Sequence, residues 1–204
     1  MTLYDHLNFL QLDSLREAGN IGAGNAATSL SKLLDKKIVM KVPEARLASL
    51  TEVTEIVGGA ENLVTAVFLR IEGDVPGSMF LIFSVEEADA LISHLTGNSE
   101  LSLDDEIGVS AIQETGNIMA GSYLSALSDF TGLTLLPTPP FLTVDMAGAI
   151  LESGLPEKSR YEEHAIMIET SFSEWDEIKS HFLLLPDPDS FLRLFQALGV
   201  PLDE

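Results

Sequence analysis

The sequence contains no cysteine, which removes disulfides, thiolate nucleophiles and Cys-ligated zinc from consideration together. Basic residues are also scarce: 11 Lys and Arg stand against 32 Asp and Glu, for a net charge of −21. Such a surface repels nucleic-acid phosphates and anionic lipid headgroups, so neither nucleic acid nor membrane is an expected partner. No apolar run approaches the length that spans a bilayer. The first residues mix Asp5, His6 and Asp13 into an apolar segment without a basic leader, so a cytoplasmic chain is expected. The few histidines, His6, His94, His164 and His181, are scattered singly, with no helical pair of the kind metal sites use. No metal or other cofactor of the chain's own is therefore expected. There is no Gly-x-Ser-x-Gly elbow, and no His lies near a candidate Ser, so a hydrolase triad has no local support. Any catalysis must use carboxylates and amides.

Apolar residues, by contrast, make up 46% of the 204 positions, enough for a substantial core in one domain or two fused half-domains. The chain also repeats itself. Glu17-Ala-Gly-Asn20-Ile-Gly-Ala-Gly24 returns 97 residues later as Glu114-Thr-Gly-Asn117-Ile-Met-Ala-Gly121. The halves end alike as well: Phe80-Leu-Ile-Phe83 matches Phe182-Leu-Leu-Leu185 at an offset of 102, which implies five residues gained in between. We therefore expect a first repeat half over 1–100 and a second over 101–204, sharing one body.

Each half reads as a long helix, strands and a closing helix. The first helix is expected over about Leu10 to Leu34, with strands at Ile38–Val42, Leu63–Ile71 and Ser78–Phe83, which are rich in branched and aromatic residues. Ser84 and Glu87 form a capping box before the closing helix, and Gly97 stops it. In the second half Ser102 with Asp105 is expected to cap a helix to about Asp129. Strands follow near Leu133–Leu136, Ala165–Phe172 and His181–Leu185, and Asp187-Pro188 opens a last helix that ends before Gly199 and Pro201. Pro137-Thr-Pro-Pro140 is a turn or extended connection, and the tail Asp203-Glu204 is solvated. Strands grouped in runs between helices predict an α+β fold with largely antiparallel pairing and internal pseudo-symmetry.

Asp13, Glu17 and Asn20 have the i, i+4, i+7 spacing of one helix face, and so do Ser110, Glu114 and Asn117. The opposite face is apolar or small in both copies: Leu15, Ala18 and Gly22 in one, Ile112, Thr115 and Met119 in the other. A proline follows each asparagine by 23 residues, Pro43 after Asn20 and Pro140 after Asn117. A duplicated but merely solvated helix face would explain exposed Glu and Asn. It does not explain why each helix places a poor helix former beside a glycine, at Gly19-Asn20 and Gly116-Asn117; glycine there would let another backbone approach. Gly22-Ala-Gly24-Asn-Ala-Ala27 also fits the dinucleotide fingerprint. That motif requires a buried strand before its first glycine, whereas Asp13 to Gly19 is charged and helical, and the repeat has Met119 in place of Gly22.

At these residues the chain resembles the CheC family of chemotaxis phosphatases, whose signature is Asp or Ser, three residues, Glu, two residues, Asn, 22 residues, Pro. Asp13, Glu17, Asn20 and Pro43 fulfil it once, and Ser110, Glu114, Asn117 and Pro140 a second time. At 204 residues, the extra switch domain of the flagellar members is not expected. The resemblance implies a phosphatase that removes the aspartyl phosphate of the response regulator CheY, whose Mg²⁺ belongs to that substrate protein. It implies catalytic roles for Glu17, Asn20, Glu114 and Asn117, docking or supporting roles for Asp13, Ser110, Pro43 and Pro140, and the receptor deamidase CheD as a second partner. A non-catalytic adaptor that sequesters CheD or CheY is the alternative.

Overall fold

A computed structural model of the chain describes residues 9–42, 44–153, 164–172 and 178–198. Six helices and eight strands lie among them. The first half runs α1 (Phe9–Leu34), β1 (Met40–Lys41), β2 (Ala45–Ser49), α2 (Leu50–Ile56), β3 (Leu63–Gly73), β4 (Gly77–Ser84) and α3 (Val85–Thr96). The second runs α4 (Glu106–Thr131), β5 (Leu135–Pro137), β6 (Phe141–Met146), α5 (Ala147–Ser153), β7 (His164–Phe172), β8 (Ile178–Pro186) and α6 (Pro188–Ala197). All described strand pairs are antiparallel, in the order β1-β7-β8-β4-β3-β5, with β2 also on β7 and β6 also on β3. The α+β, antiparallel expectation therefore holds.

The connectivity crosses between the halves. β1 and β2 of the first half pair with β7 of the second, while β5 and β6 of the second pair with β3 of the first. Registers repeat under a two-fold relation: Met40 opposite Phe172 corresponds to Pro137 opposite Ile71, and Ala45 opposite Ile168 corresponds to Leu142 opposite Val67. These pairs place Ile168 101 residues after Val67, so the closing strands match one residue away from the offset of 102 expected from sequence. Phe80 consequently corresponds to His181, not Phe182, and four residues were gained, not five. The slip has a physical source. β4 is buried on both faces, so its apolar run has no alternation from which a register could be read, and one residue's shift exchanges the faces of the sheet.

Alternation along the central strands feeds two cores. Val67, Leu69, Leu81, Phe83, Ile166, Ile168, Phe182 and Leu184 face α1, α3, α4 and α6. Ala66, Phe80, Ile82, Met167 and Leu183 face Val53 of α2 and Ala147, Ile150 and Leu151 of α5. Sequence patterning missed the second helical layer, because α2 and α5 have only 7 residues each, too short to show a helical period. Ser49 and Glu52 nevertheless form a complete capping box on α2.

Most other boundaries agree with expectation. The Ser84–Glu87 box is present, Gly97 ends α3 in the left-handed region (φ 70°), and Asp187 precedes Pro188 at the start of α6. Several differ. Ile38–Val42 contributes only Met40 and Lys41 as strand, Leu133–Leu136 shifts to Leu135–Pro137, β8 begins at Ile178 rather than His181, β2 and β6 have no counterpart among the expected strands, and α4 begins at Glu106, after Asp105, not at Ser102. The Ser102 backbone N–H donates to Asp105 Oδ2 at 2.9 Å, which closes the turn leading into the helix without capping it. Pro43, Gly199, Pro201 and the tail Asp203-Glu204 lie outside the described residues.

Candidate functional site

α1 and α4 pack against each other on one face of the sheet. They run antiparallel: Gly22 meets Tyr123, and Leu15 and Ala18 border the same small void as Leu124 and Leu127. A Cβ at Gly22 would lie 2.8 Å from the Tyr123 Cα, so the helix pair needs a glycine there. By the repeat, Gly22 corresponds to Met119 and Tyr123 to Ala26, so a small residue in one copy stands where the other has a large one. All four are buried.

The polar ridges point the other way. Glu17, Asn20, Ser110, Glu114 and Asn117 are exposed, Asp13 is half-buried, and Leu15, Ala18, Ile112, Thr115 and Met119 are buried as their spacing predicts. Asn117 Nδ2 donates to Glu114 Oε2 at 3.5 Å, so the signature pair of the second copy meets on the helix surface. Pro140 sits at the break between β5 and β6, and its carbonyl accepts from Gln113 Nε2 at 3.3 Å, which ties the proline to the helix one residue before Glu114. With Gly22 opposite Tyr123, Asn20 lies level with residue 125, which puts the two asparagines about 12 Å apart along the helix axes. The ridges therefore form two places, not one.

The glycines beside the asparagines serve the sheet, not a visiting backbone. A Cβ on Gly116 would come within 2.6 Å of Val67 Cγ1, while one on Gly19 would sit 3.5 Å from Ile168 Cγ2 and Val42 Cγ1. Val67 and Ile168 are equivalent in the two halves; Gly116 sets how closely α4 lies on β3, whereas Gly19 faces the equivalent strand position with room for a methyl group. The Gly22–Gly24 segment lies in the middle of α1, with helix directly before it from Phe9 onward, as the argument against a dinucleotide site requires.

Comparison of the copies identifies residues that motif spacing missed. Arg16 occupies the position of Gln113. Its guanidinium pairs with Asp13, with side-chain exposures of 49% and 45%, whereas Gln113 is held by Pro140. The groups with shifted pKa values lie off the ridges. Burial raises the Tyr123 hydroxyl to about 12, against its 2.9 Å hydrogen bond with Thr170, and the backbone N–H of Thr134 lowers Asp74. The exposed surface of each ridge thus offers a neutral carboxamide and a carboxylate one turn apart, suited to binding water and a cation.

The chain matches the model of the CheC-like family over residues 10–45 and 107–144, the two signature helices and the strands that follow them. It is 45% identical to the CheY-P phosphatase CheC of Bacillus subtilis over 99% of this chain and all of that one. It is 26% identical to the flagellar motor switch phosphatase FliY of the same organism, over 83% of this chain and 43% of that longer protein. The crystal structure of Thermotoga maritima FliY has the same fold, with a TM-score of 0.74 at 22% identity, covering 95% of this chain and 98% of that one. Two signature helices on a shared antiparallel sheet, and identity along the full length of a relative, place this chain in the CheC-like family.

Proposed function

We propose that this chain is a cytoplasmic phosphatase that hydrolyses the aspartyl phosphate of the chemotaxis response regulator CheY, with one site on α1 and one on α4. The observation that carries the reading is the pair of exposed Glu–Asn ridges in a chain 45% identical, end to end, to a CheY-P phosphatase. The regulator brings its own Mg²⁺ and lysine, which neutralise the phosphoryl charge, so the missing element is an aimed water. Asn20 and Asn117 supply it. A carboxamide donates to and accepts from one water at once and holds its oxygen in line with phosphorus. The water oxygen bonds to phosphorus as the bond to the aspartyl oxygen breaks; the products are the aspartate carboxylate and dihydrogen phosphate, which carries both of the water's protons until one is released to solvent. No covalent enzyme intermediate forms.

Glu17 and Glu114, one turn before each asparagine, pair with the regulator's lysine and fix the docking register. A carboxylate facing the phosphoryl group itself would be repelled. Asp13 and Ser110 flank the contact, and Pro43 and Pro140 support the helices. Family membership also supports CheD as a second partner. The competing reading is an adaptor that sequesters CheD or CheY without chemistry. Phosphate release with phosphorylated CheY in large molar excess separates the two: a phosphatase releases many equivalents, an adaptor at most one.

A further inference from the structure

We propose that Arg16 is a substrate-contacting residue of the first site with no counterpart in the second, so that the two sites recognise the regulator by different chemistry. On docking, its guanidinium leaves Asp13 and binds an oxyanion at the phosphorylated centre of the regulator. This inference rests on the phosphatase reading above. On the helix, Asn20 lies between Arg16 and Glu17, about 40° from the first and about 60° from the second. A cation and an anion therefore flank the water-positioning amide. Arg16 is half exposed, and its partner Asp13 is itself on the ridge. An exposed ion pair of this kind is weak, so a docked oxyanion exchanges for it readily, and a planar guanidinium takes two oxygens of a phosphoryl or carboxylate group together. In a chain with 11 basic against 32 acidic residues, an arginine at this position is not background. The second copy has abandoned the device. Gln113 is uncharged, its amide is held by the Pro140 carbonyl at 3.3 Å, and Ser110 replaces Asp13, the carboxylate that would otherwise hold an arginine.

The test uses two full-length chains, each with one site closed: Glu114→Lys with Asn117→Ala leaves the first site, and Glu17→Lys with Asn20→Ala leaves the second. Arg16→Gln is then added to each. In the first-site chain we expect kcat/KM for phosphorylated CheY to fall about tenfold and its salt dependence to flatten. In the second-site chain we expect no change. Equal losses in both chains would mean that Arg16 acts through the fold, and no loss in the first-site chain would mean that it touches no substrate; either result overturns the proposal. Binding gives a readout independent of turnover. CheY carrying Mg²⁺ and beryllofluoride should bind the first-site chain about tenfold more weakly after Arg16→Gln. A loss confined to beryllofluoride-loaded CheY assigns the guanidinium to the phosphoryl oxygens; a loss shared with unloaded CheY assigns it to a carboxylate of the regulator. Should the first-site chain release no phosphate, the two-site reading fails, and an unchanged Kd in this titration would sink the arginine proposal separately.

Discussion

At the residue scale, the two signature glycines look alike in sequence and differ in the space around them. Gly116→Ala would push a Cβ to 2.6 Å from Val67, a stiff branched side chain buried in the sheet, so a loss of about 1–3 kcal/mol is expected in denaturant melts. Gly19→Ala meets ordinary 3.5 Å contacts beside a void of ≈ 20 Å³ and gains helix propensity, so it should be neutral or stabilise by up to about 1 kcal/mol. Equal effects of the two changes would contradict the packing described. The ridge residues should behave differently, because Asn20 and Asn117 are exposed and Ala is the better helix former. Each single Asn→Ala is expected to leave partial activity, and the double replacement to abolish phosphate release with melting unchanged. Complete loss from Asn117→Ala alone would reduce the first copy to a relic. Glu17→Lys or Glu114→Lys should raise KM at that site more than it lowers kcat, since the assigned role is charge pairing; a fall in kcat at saturating CheY with KM unchanged would make the glutamate part of the chemistry.

At the scale of elements, the corrected register exposes a difference between the halves. On the face toward α2 and α5, Phe68 and Phe80 pack with their rings tilted by 44° and centroids 5.0 Å apart. Their counterparts on β7 and β8 are Glu169 and His181, which lie opposite each other. An aromatic pair in one half is a charged and titratable pair in the other, with Arg46, Glu87 and Lys179 close by. Burial lowers the His181 pKa more than Glu169 and Glu87 raise it, and its Nδ1 is buried without a hydrogen bond. The folded chain therefore takes up this proton at lower pH than the unfolded one. The stability that follows is full above the ordinary histidine pKa of 6.5 and is lost as the pH falls through the lower folded value. His181→Phe, which copies Phe80, should narrow the Tm difference between about pH 7.5 and about pH 5.5. A difference as large as that of the parent chain would show that His181 is not the group responsible.

At the scale of the whole molecule, the crossing of strands makes the halves depend on each other. Residues 1–100 alone would leave β1 and β2 without β7, β4 without β8, and α1 without α4, exposing a doubly buried sheet. We expect that fragment to show no cooperative melt as a monomer, and to regain one when mixed with residues 101–204. A cooperatively melting monomer of 1–100 would show that the half carries its own core. The same arrangement explains how the two exposed ridges coexist: a two-fold relation across the β4–β8 pair sets both signature helices on one sheet face, so each helix lies on a strand from the opposite half.

The sequence by itself determined the elements with strong local signals: the two long helices, the closing helices with the capping box of Ser84 and Glu87 on the first, the Glu–Asn spacing and its repetition. Helical period and capping are written in neighbouring residues, so the ridge of Glu17, Asn20, Glu114 and Asn117 was legible without coordinates. Tertiary structure alone decided the strand register, the exchange of edge strands between halves and the second helical layer. Those features depend on which faces are covered, and a strand such as β4, apolar on both sides, carries no mark of its partner. The glycines show the same division: their presence beside Asn was visible in the sequence, but only packing revealed that Gly116 is required against Val67 and that Gly19 is not required against Ile168.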